Sequence, residues 1–275
     1  MTGSDFHKIP FNLTIPERLL KVLNVKTALI LMLTSLTTWA KPIPVRLGGY
    51  EFPPYVINRG GTYEGLTLDL IALLNQKQTK YVFSFVPTTT YRRYHDMKSS
   101  RYQIMAFESK TWGWPAESVE TSKIFRHGAE VFIAHKDNAK SQKYFENLHN
   151  KTIKGMQGYH YGFLGHSTSD KALKRFNVEF TNTIDGNIRS VVTKRADIAM
   201  VTKEYLEMYL KNHPEERSKL VVSTKYDQLY DLGILVSKGQ HVITVAEINR
   251  LIDQIVNDGS WSALLKDKGI EEMRD

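Results

Sequence analysis

The sequence predicts an α/β fold in which open parallel sheets carry helices on both faces. Three observations lead there. Strand-like and helix-like patterns alternate along nearly the whole chain past residue 40. The strand segments are short runs of β-branched and aromatic residues. The helical segments repeat apolar residues at i, i+3, i+4 spacing. With 275 residues, 41% hydrophobic and 24% charged, the chain has an ordinary globular composition, and its length admits one large domain or two lobes of about 100 residues each.

The first forty residues read as an export signal rather than as part of that fold. Lys21 and Lys26 precede an apolar stretch at residues 28–36, and Thr38-Trp39-Ala40 sets small residues at the two positions a signal peptidase reads. Cleavage is expected after Ala40, with an uncleaved anchor as the alternative. The stretch is well short of the ~20 apolar residues that a bilayer span requires.

Residues 45–47 form a short strand pattern running into Gly48-Gly49. Residues 65–74 put Leu66, Leu70, Leu73 and Leu74 on one helical face. Residues 81–86, apolar on both faces, suit a central parallel strand. A short helix is expected over 91–99, then strands over 103–107 and 130–134. The second series runs strand 152–156, helix 162–175, strand 178–180, helix 184–194, strand 197–201, helix 203–211 and strand 220–223. An apolar strand over 232–236 precedes a strongly amphipathic helix carrying Val245, Ile248, Leu251, Ile252, Ile255 and Val256. Asp258-Gly259 stops it, and residues 260–266 form a last short helix. In such folds ligands bind beyond the carboxyl ends of the strands, so the loops after each strand are where function is sought.

Charge and residue usage exclude several functions. The net charge is +8, yet Lys and Arg are scattered singly among Asp and Glu, which suits a solvated basic surface and not nucleic-acid binding. The absence of Cys removes disulfides, thiolate metal sites, thiol catalysis and a lipid anchor on an N-terminal Cys. The nine His residues show neither H-E-x-x-H nor any other metal spacing, and residues 165–169 (Gly-His-Ser-Thr-Ser) lack nucleophile-elbow spacing. His160 and His166 read as surface residues. No cofactor or metal is expected, and a binding protein is favoured over an enzyme.

The loops carry an ordered set of motifs. Tyr50-Glu51-Phe52-Pro53-Pro54-Tyr55, a polar turn over 58–62, and Gly65-Leu66-Thr67-Leu68-Asp69-Leu70 resemble the opening of the amino-acid-binding branch of periplasmic solute-binding proteins. Residues 147–158 resemble the start of that family's second lobe, Lys194-Arg195-Ala196-Asp197-Ile198-Ala199 its buried Ala-Asp strand, and Asn257-Asp258-Gly259-Ser260-Trp261 its closing helix turn. The resemblance spans residues 44–270. It implies a two-lobed, type II periplasmic-binding-protein-like fold, with lobe one at 41–134 plus 232–275, lobe two at 135–231, and hinge crossings near 133–137 and 225–232. It further implies a monomer that captures a small polar ligand for the membrane permease of an ABC importer. A sensor presenting its ligand to a membrane receptor, or a dehydratase-like enzyme, would use the same cleft.

Two departures from that family stand out. Where its members carry an Arg for the ligand carboxylate, this chain reads Lys110-Thr111-Trp112-Gly113-Trp114-Pro115-Ala116-Glu117; where they carry an Asp for the ligand ammonium, it has Thr202. The candidate site is instead aromatic: Tyr50, Phe52, Tyr55, Tyr91, Phe107, Trp112, Trp114, Tyr159 and Tyr161. Ring faces attract a cation. Glu108, at the end of a buried strand, needs a partner, which either a ligand cation or a local Arg (Arg92 or Arg93) would supply. Arg92 is the candidate replacement for the missing carboxylate clamp. Backbone N–H groups over 155–162 offer a place for an anion, or a plain tight turn. Lys203, beside Thr202, is expected to face solvent.

Overall fold

The structure is a computed structural model that describes residues 41–270. The expected export segment lies outside the described residues. The first half contains β1 (Ile43–Gly49), a hairpin of β2 (Ile57–Arg59) and β3 (Thr62–Glu64), α1 (Leu66–Lys77), β4 (Tyr81–Pro87), α2 (Arg93–Lys98), β5 (Ile104–Glu108) and β6 (Val119–Thr121). Strand β7 (Arg126–His135) leads to β8 (Thr152–Met156), a 3-10 turn (Gly162–Leu164), α3 (Asp170–Leu173), β9 (Asn177–Thr181), α4 (Ile184–Val192), β10 (Ile198–Thr202), α5 (Lys203–Asn212) and α6 (Pro214–Arg217). Strand β11 (Leu220–Ser237) returns to α7 (Val245–Asn257) and α8 (Ser260–Asp267).

The strands follow the order β4-β1-β5-β11-β7-β10-β8-β9, with β6 also on β11. Strands β4, β1 and β5 are parallel, as are β10, β8 and β9. The all-parallel expectation is corrected in the middle, where β11 is antiparallel to β5 and β7, and β10 to β7. The chain leaves along β7 and returns along β11, and such a pair needs no crossover helix.

Strand β11, with 18 residues, replaces the two separate strands expected at 220–223 and 232–236. Its ladder shifts register between Val222 and Tyr226, between Tyr226 and Gln228, and between Gly233 and Ile234, so one strand serves both halves. Tyr226 and Leu229 are exposed in its middle, which breaks the apolar pattern there. Residues 130–134 of β7 already ladder with β10, while, among the described residues, 126–129 pair only with β11.

Two more expectations change. Residues 81–86 form an edge strand, not a central one: among the described residues β4 pairs only with β1, and its burial alternates over the first four residues. The helix expected over 162–175 is a 3-10 turn and one helical turn, because Gly165 (φ 62°) and His166 (φ 57°) take left-handed backbone between them.

Packing ties the chain ends together. On α7, Ile248, Leu251, Ile252 and Ile255 are buried against Leu66, Leu70 and Leu74 of α1 and the strand residues Val45, Leu47, Ile104 and Leu235. Thr244 caps α7 by accepting the Glu247 N–H at 3.2 Å. In the second half alternate residues face opposite sides. Val131, Ile133, Ala199 and Val201 pack on α4 and α5, and Phe132, Ala134, Ile198 and Met200 pack toward Tyr161 and Leu164.

Candidate functional site

Loops beyond the strand ends of the two halves face each other. Tyr50 and Phe52 follow β1, Trp112 follows β5, and Gly158, Tyr159 and His160 follow β8. With Arg93, Glu130 and Gln228 they enclose a cavity of about 20 Å³. That is space for about one water. A larger guest requires the halves to part or the Tyr159 ring to swing away.

Rings fill most of the region. Phe52 lies 6.1 Å from Tyr50, 4.8 Å from Tyr55, 5.5 Å from Trp112 and 5.6 Å from Tyr159, the last two edge-on. At these loops, polar contacts cross between the halves. Tyr159 Oη donates to the Glu51 carbonyl at 2.8 Å, Thr90 Oγ1 to the Gln157 carbonyl at 3.2 Å, and Tyr94 Oη meets His160 Nε2 at 3.3 Å. Gly158 makes this approach possible: its φ is 78°, and a Cβ there would lie 2.4 Å from Thr90 Oγ1. The Tyr159 ring also borders a second pocket of about 360 Å³ between the halves, with Glu51, Asn58, Thr90, Gln157 and Asn182 in its wall.

Glu108 has its partner inside the protein. Arg93 Nε lies 3.2 Å from Oε1, Trp114 Nε1 donates to Oε1 at 2.8 Å, and Tyr50 Oη donates to Oε2 at 2.9 Å. Burial pushes its carboxyl up, and Arg93, Trp114 and Tyr50 pull it back. Arg93 also donates to the carbonyls of Thr90 and Trp112, and its guanidinium lies 4.9 Å from the Tyr50 ring centre and 4.4 Å from that of Tyr94. Of the two counter-charges open in the sequence, a ligand cation or a local Arg, the fold supplies the Arg.

Glu130, buried on β7, faces the cavity and accepts from Thr202 Oγ1 at 3.3 Å. Burial, followed by Asp227 and Glu204, holds its carboxyl well above the usual carboxylate range. Glu51, in the wall of the larger pocket, is pushed up to about 7 by burial. The backbone N–H groups of Gly162 and Phe163 already have an anion: they donate to Asp227 at 2.6 and 2.7 Å.

The structure therefore brings together Tyr50, Phe52, Trp112 and Tyr159 as cavity wall. Trp114 lies behind them, on Glu108 and edge-on to Tyr94. Thr202 lies beneath Glu130. Tyr55 and Phe107 belong to the core, their rings stacked at 4.7 Å, and Tyr161 Oη accepts the Met156 N–H at 2.6 Å. Phe107 takes φ 54°, rare for an aromatic residue, and is held there between Tyr55, Phe125 and Trp261. Two placements are corrected. Arg92 is 65% exposed beside Asp96, so it is no clamp in the cavity; its neighbour Arg93 lies there instead. His160 is half-buried in the cavity wall, not on the surface. Tyr91 is exposed.

Sequence reasoning named Arg93 only as an alternative partner for Glu108, and passed over Glu130 and Gln228. Arg93 shares a helical face with Met97, four residues on, and Glu130 is a lone carboxylate in the run Ala129-Glu130-Val131-Phe132-Ile133-Ala134. Both signals were legible. Gln228 had none.

The sequence matches no family profile and no curated protein. Solved structures do resemble it. A histidine-bound substrate-binding protein of an ABC uptake transporter from Streptococcus pneumoniae has a TM-score of 0.64 at 16% identity, over 82% of this chain and 91% of that one. A histidine kinase sensor domain similar to periplasmic binding proteins has a TM-score of 0.64 at 16% identity, over 85% and 99%. An ancestral amino-acid-binding protein, a precursor of cyclohexadienyl dehydratase, has a TM-score of 0.61 at 19% identity, over 82% and 94%. Such identities speak to architecture alone, and on that architecture they agree with the strand order: the chain has the two-lobed, type II periplasmic-binding-protein-like fold.

Proposed function

We propose that this protein is a periplasmic solute-binding protein whose lobes close on a small polar, amino-acid-like ligand for delivery to the permease of an ABC importer. One observation carries the reading. An aromatic-walled cavity containing both an Arg and a carboxylate is assembled from loops of both halves, at the strand ends where this fold class binds ligands. The sequence expects lobes at 41–134 with 232–275 and at 135–231, with crossings near 133–137 and 225–232. Because residues 131–134 pack with the second half, the proposed hinge lies earlier on β7, at residues 126–130, opposite residues 228–232 of β11. The export signal expected at residues 1–40 fits this location, and the protein acts as a monomer. Among the described residues no helix is long and apolar enough to cross a membrane.

A thermal-shift screen of amino acids, amines and organic acids tests the reading, followed by small-angle scattering with each hit. A ligand at a hundredfold excess over Kd stabilises by about 2.7 kcal/mol. A hit that raises Tm and reduces the radius of gyration supports lobe closure. A hit recovered chemically unchanged supports binding over turnover, and an unchanged scattering profile refutes closure. The same fold would also serve a second reading, in which the loaded protein docks on a membrane receptor; uptake of the identified ligand lost on deletion of the gene would favour import.

A further inference from the structure

Glu130 differs from the other buried carboxylates of the described residues. Glu108 pairs with Arg93, Asp96 with Arg92 and Arg101, and Glu204 with Arg126. Glu130, 2% exposed, forms no ion pair among the described residues. Its hydrogen bond there is the 3.3 Å contact from Thr202, which stands directly opposite it in the β7–β10 ladder. The charged groups acting on it, Asp227 of β11 and Glu204 of α5, are acidic, and its other titratable neighbours are the phenols of Tyr55, Tyr159, Tyr161 and Tyr230. A carboxylate buried without a cation is costly to hold ionised.

The cavity that Glu130 faces is walled by Tyr50, Phe52, Trp112 and Tyr159. Its other charge, Arg93, is neutralised by Glu108, and two of its donors are spent on backbone carbonyls. What is left uncompensated in the cavity is one acidic group among ring faces, the surroundings that suit a cation and repel an anion. We propose that Glu130 is the charged anchor of the ligand, and that the ligand carries an ammonium or guanidinium group seated among these rings. This rests on the solute-binding reading above and names its ligand class. Burial holds the Glu130 carboxyl up, so the arriving cation is what makes the ionised form stable there.

The test measures binding by calorimetry and compaction by scattering on the full chain. The probes form three sets: cations (putrescine, agmatine, L-arginine, L-lysine), anions without an amino group (succinate, glutarate) and neutral polyols (glucose, glycerol). Binding is expected from the cations. Glu130→Gln should weaken the best of them about ten- to hundredfold, the loss of a charge-assisted hydrogen bond, while the variant stays folded. Should that variant fail to fold, Glu130→Asp, which keeps the charge but withdraws it by one methylene, becomes the readout: weakened cation binding supports the proposal and unchanged affinity overturns it. An anionic or neutral probe that binds and compacts the protein while the cations do not overturns the anchor and leaves the solute-binding reading standing. A cation bound equally tightly by Glu130→Gln does the same. No binding and no compaction with any probe overturns both.

Discussion

Replacing Glu108 with Gln leaves the Arg93 guanidinium buried without its counter-charge. Both side chains are 1% exposed, and Nε and Oε1 are 3.2 Å apart. Breaking a buried pair by removing one charge costs about 3–5 kcal/mol, because the survivor is neither hydrated nor neutralised. The Gln carbonyl still accepts from Tyr50 or Trp114, so the lower end, about 3 kcal/mol, is expected. At roughly 2–4 °C per kcal/mol for a chain of this size, Tm should fall by roughly 6–12 °C in a thermal unfolding experiment. Adding Arg93→Met removes the stranded charge but also the bonds to the Thr90 and Trp112 carbonyls, each worth about 1 kcal/mol. The double variant should therefore recover only part of the loss, with a coupling of at least about 1 kcal/mol in the cycle. Glu108→Gln within about 0.5 kcal/mol of the parent, a size typical of a surface substitution, would refute the buried pair.

Other perturbations test other parts of the structure. Tyr159→Phe removes the bond to the Glu51 carbonyl across the halves, and ligand affinity should drop by about 0.5–1.5 kcal/mol in calorimetry, with unchanged affinity counting against closure through this contact. Gly158→Ala forces a Cβ against Thr90 at a left-handed φ, so scattering should show a more open molecule; a profile identical to the parent would contradict the close approach. On the returning helix, Leu251→Ala should destabilise by about 2–5 kcal/mol in urea unfolding, and a loss below 1 kcal/mol would mean α7 is not docked on the first half. Burial pushes Glu51 and Glu204 up to about 7, from an ordinary value of 4.5. Their contribution to stability is thus present below about pH 4.5 and lost as pH rises through 7. Tm should fall between pH 5 and 8, less steeply in Glu51→Gln, and a rise across that window would refute the shifts.

Local pattern carried far into this fold. Helices α1, α4, α5 and α7 follow residue spacing, since each buries one face whose period is written in the chain, while strands β5 and β10, buried at every residue, were legible as short apolar runs. The breaks lie where neighbours distant in sequence decide. Strand β11 looked like two strands, because Tyr226 and Leu229 are exposed and its register shifts let one chain bridge two sheets. At the site, the aromatic residues after β1, β5 and β8 were legible as loop residues, and four of them do form the cavity wall. The charges were not: adjacent arginines differ only in helical phase, and that phase buries Arg93 and leaves Arg92 in solvent.

By itself the sequence determined an α/β chain with alternating elements, an aromatic set of strand-end loops, and no Cys for thiol chemistry. Those properties depend on residue type and on spacings of two to four residues, which a linear string records. Only the tertiary structure decided that Glu108 is satisfied by Arg93 while Glu130 is left facing the cavity beside Thr202. Whether a buried charge is paired depends on side chains brought together across 15 residues in one case and 72 in the other, and burial, which sets its cost, exists only once the sheets and helices have packed.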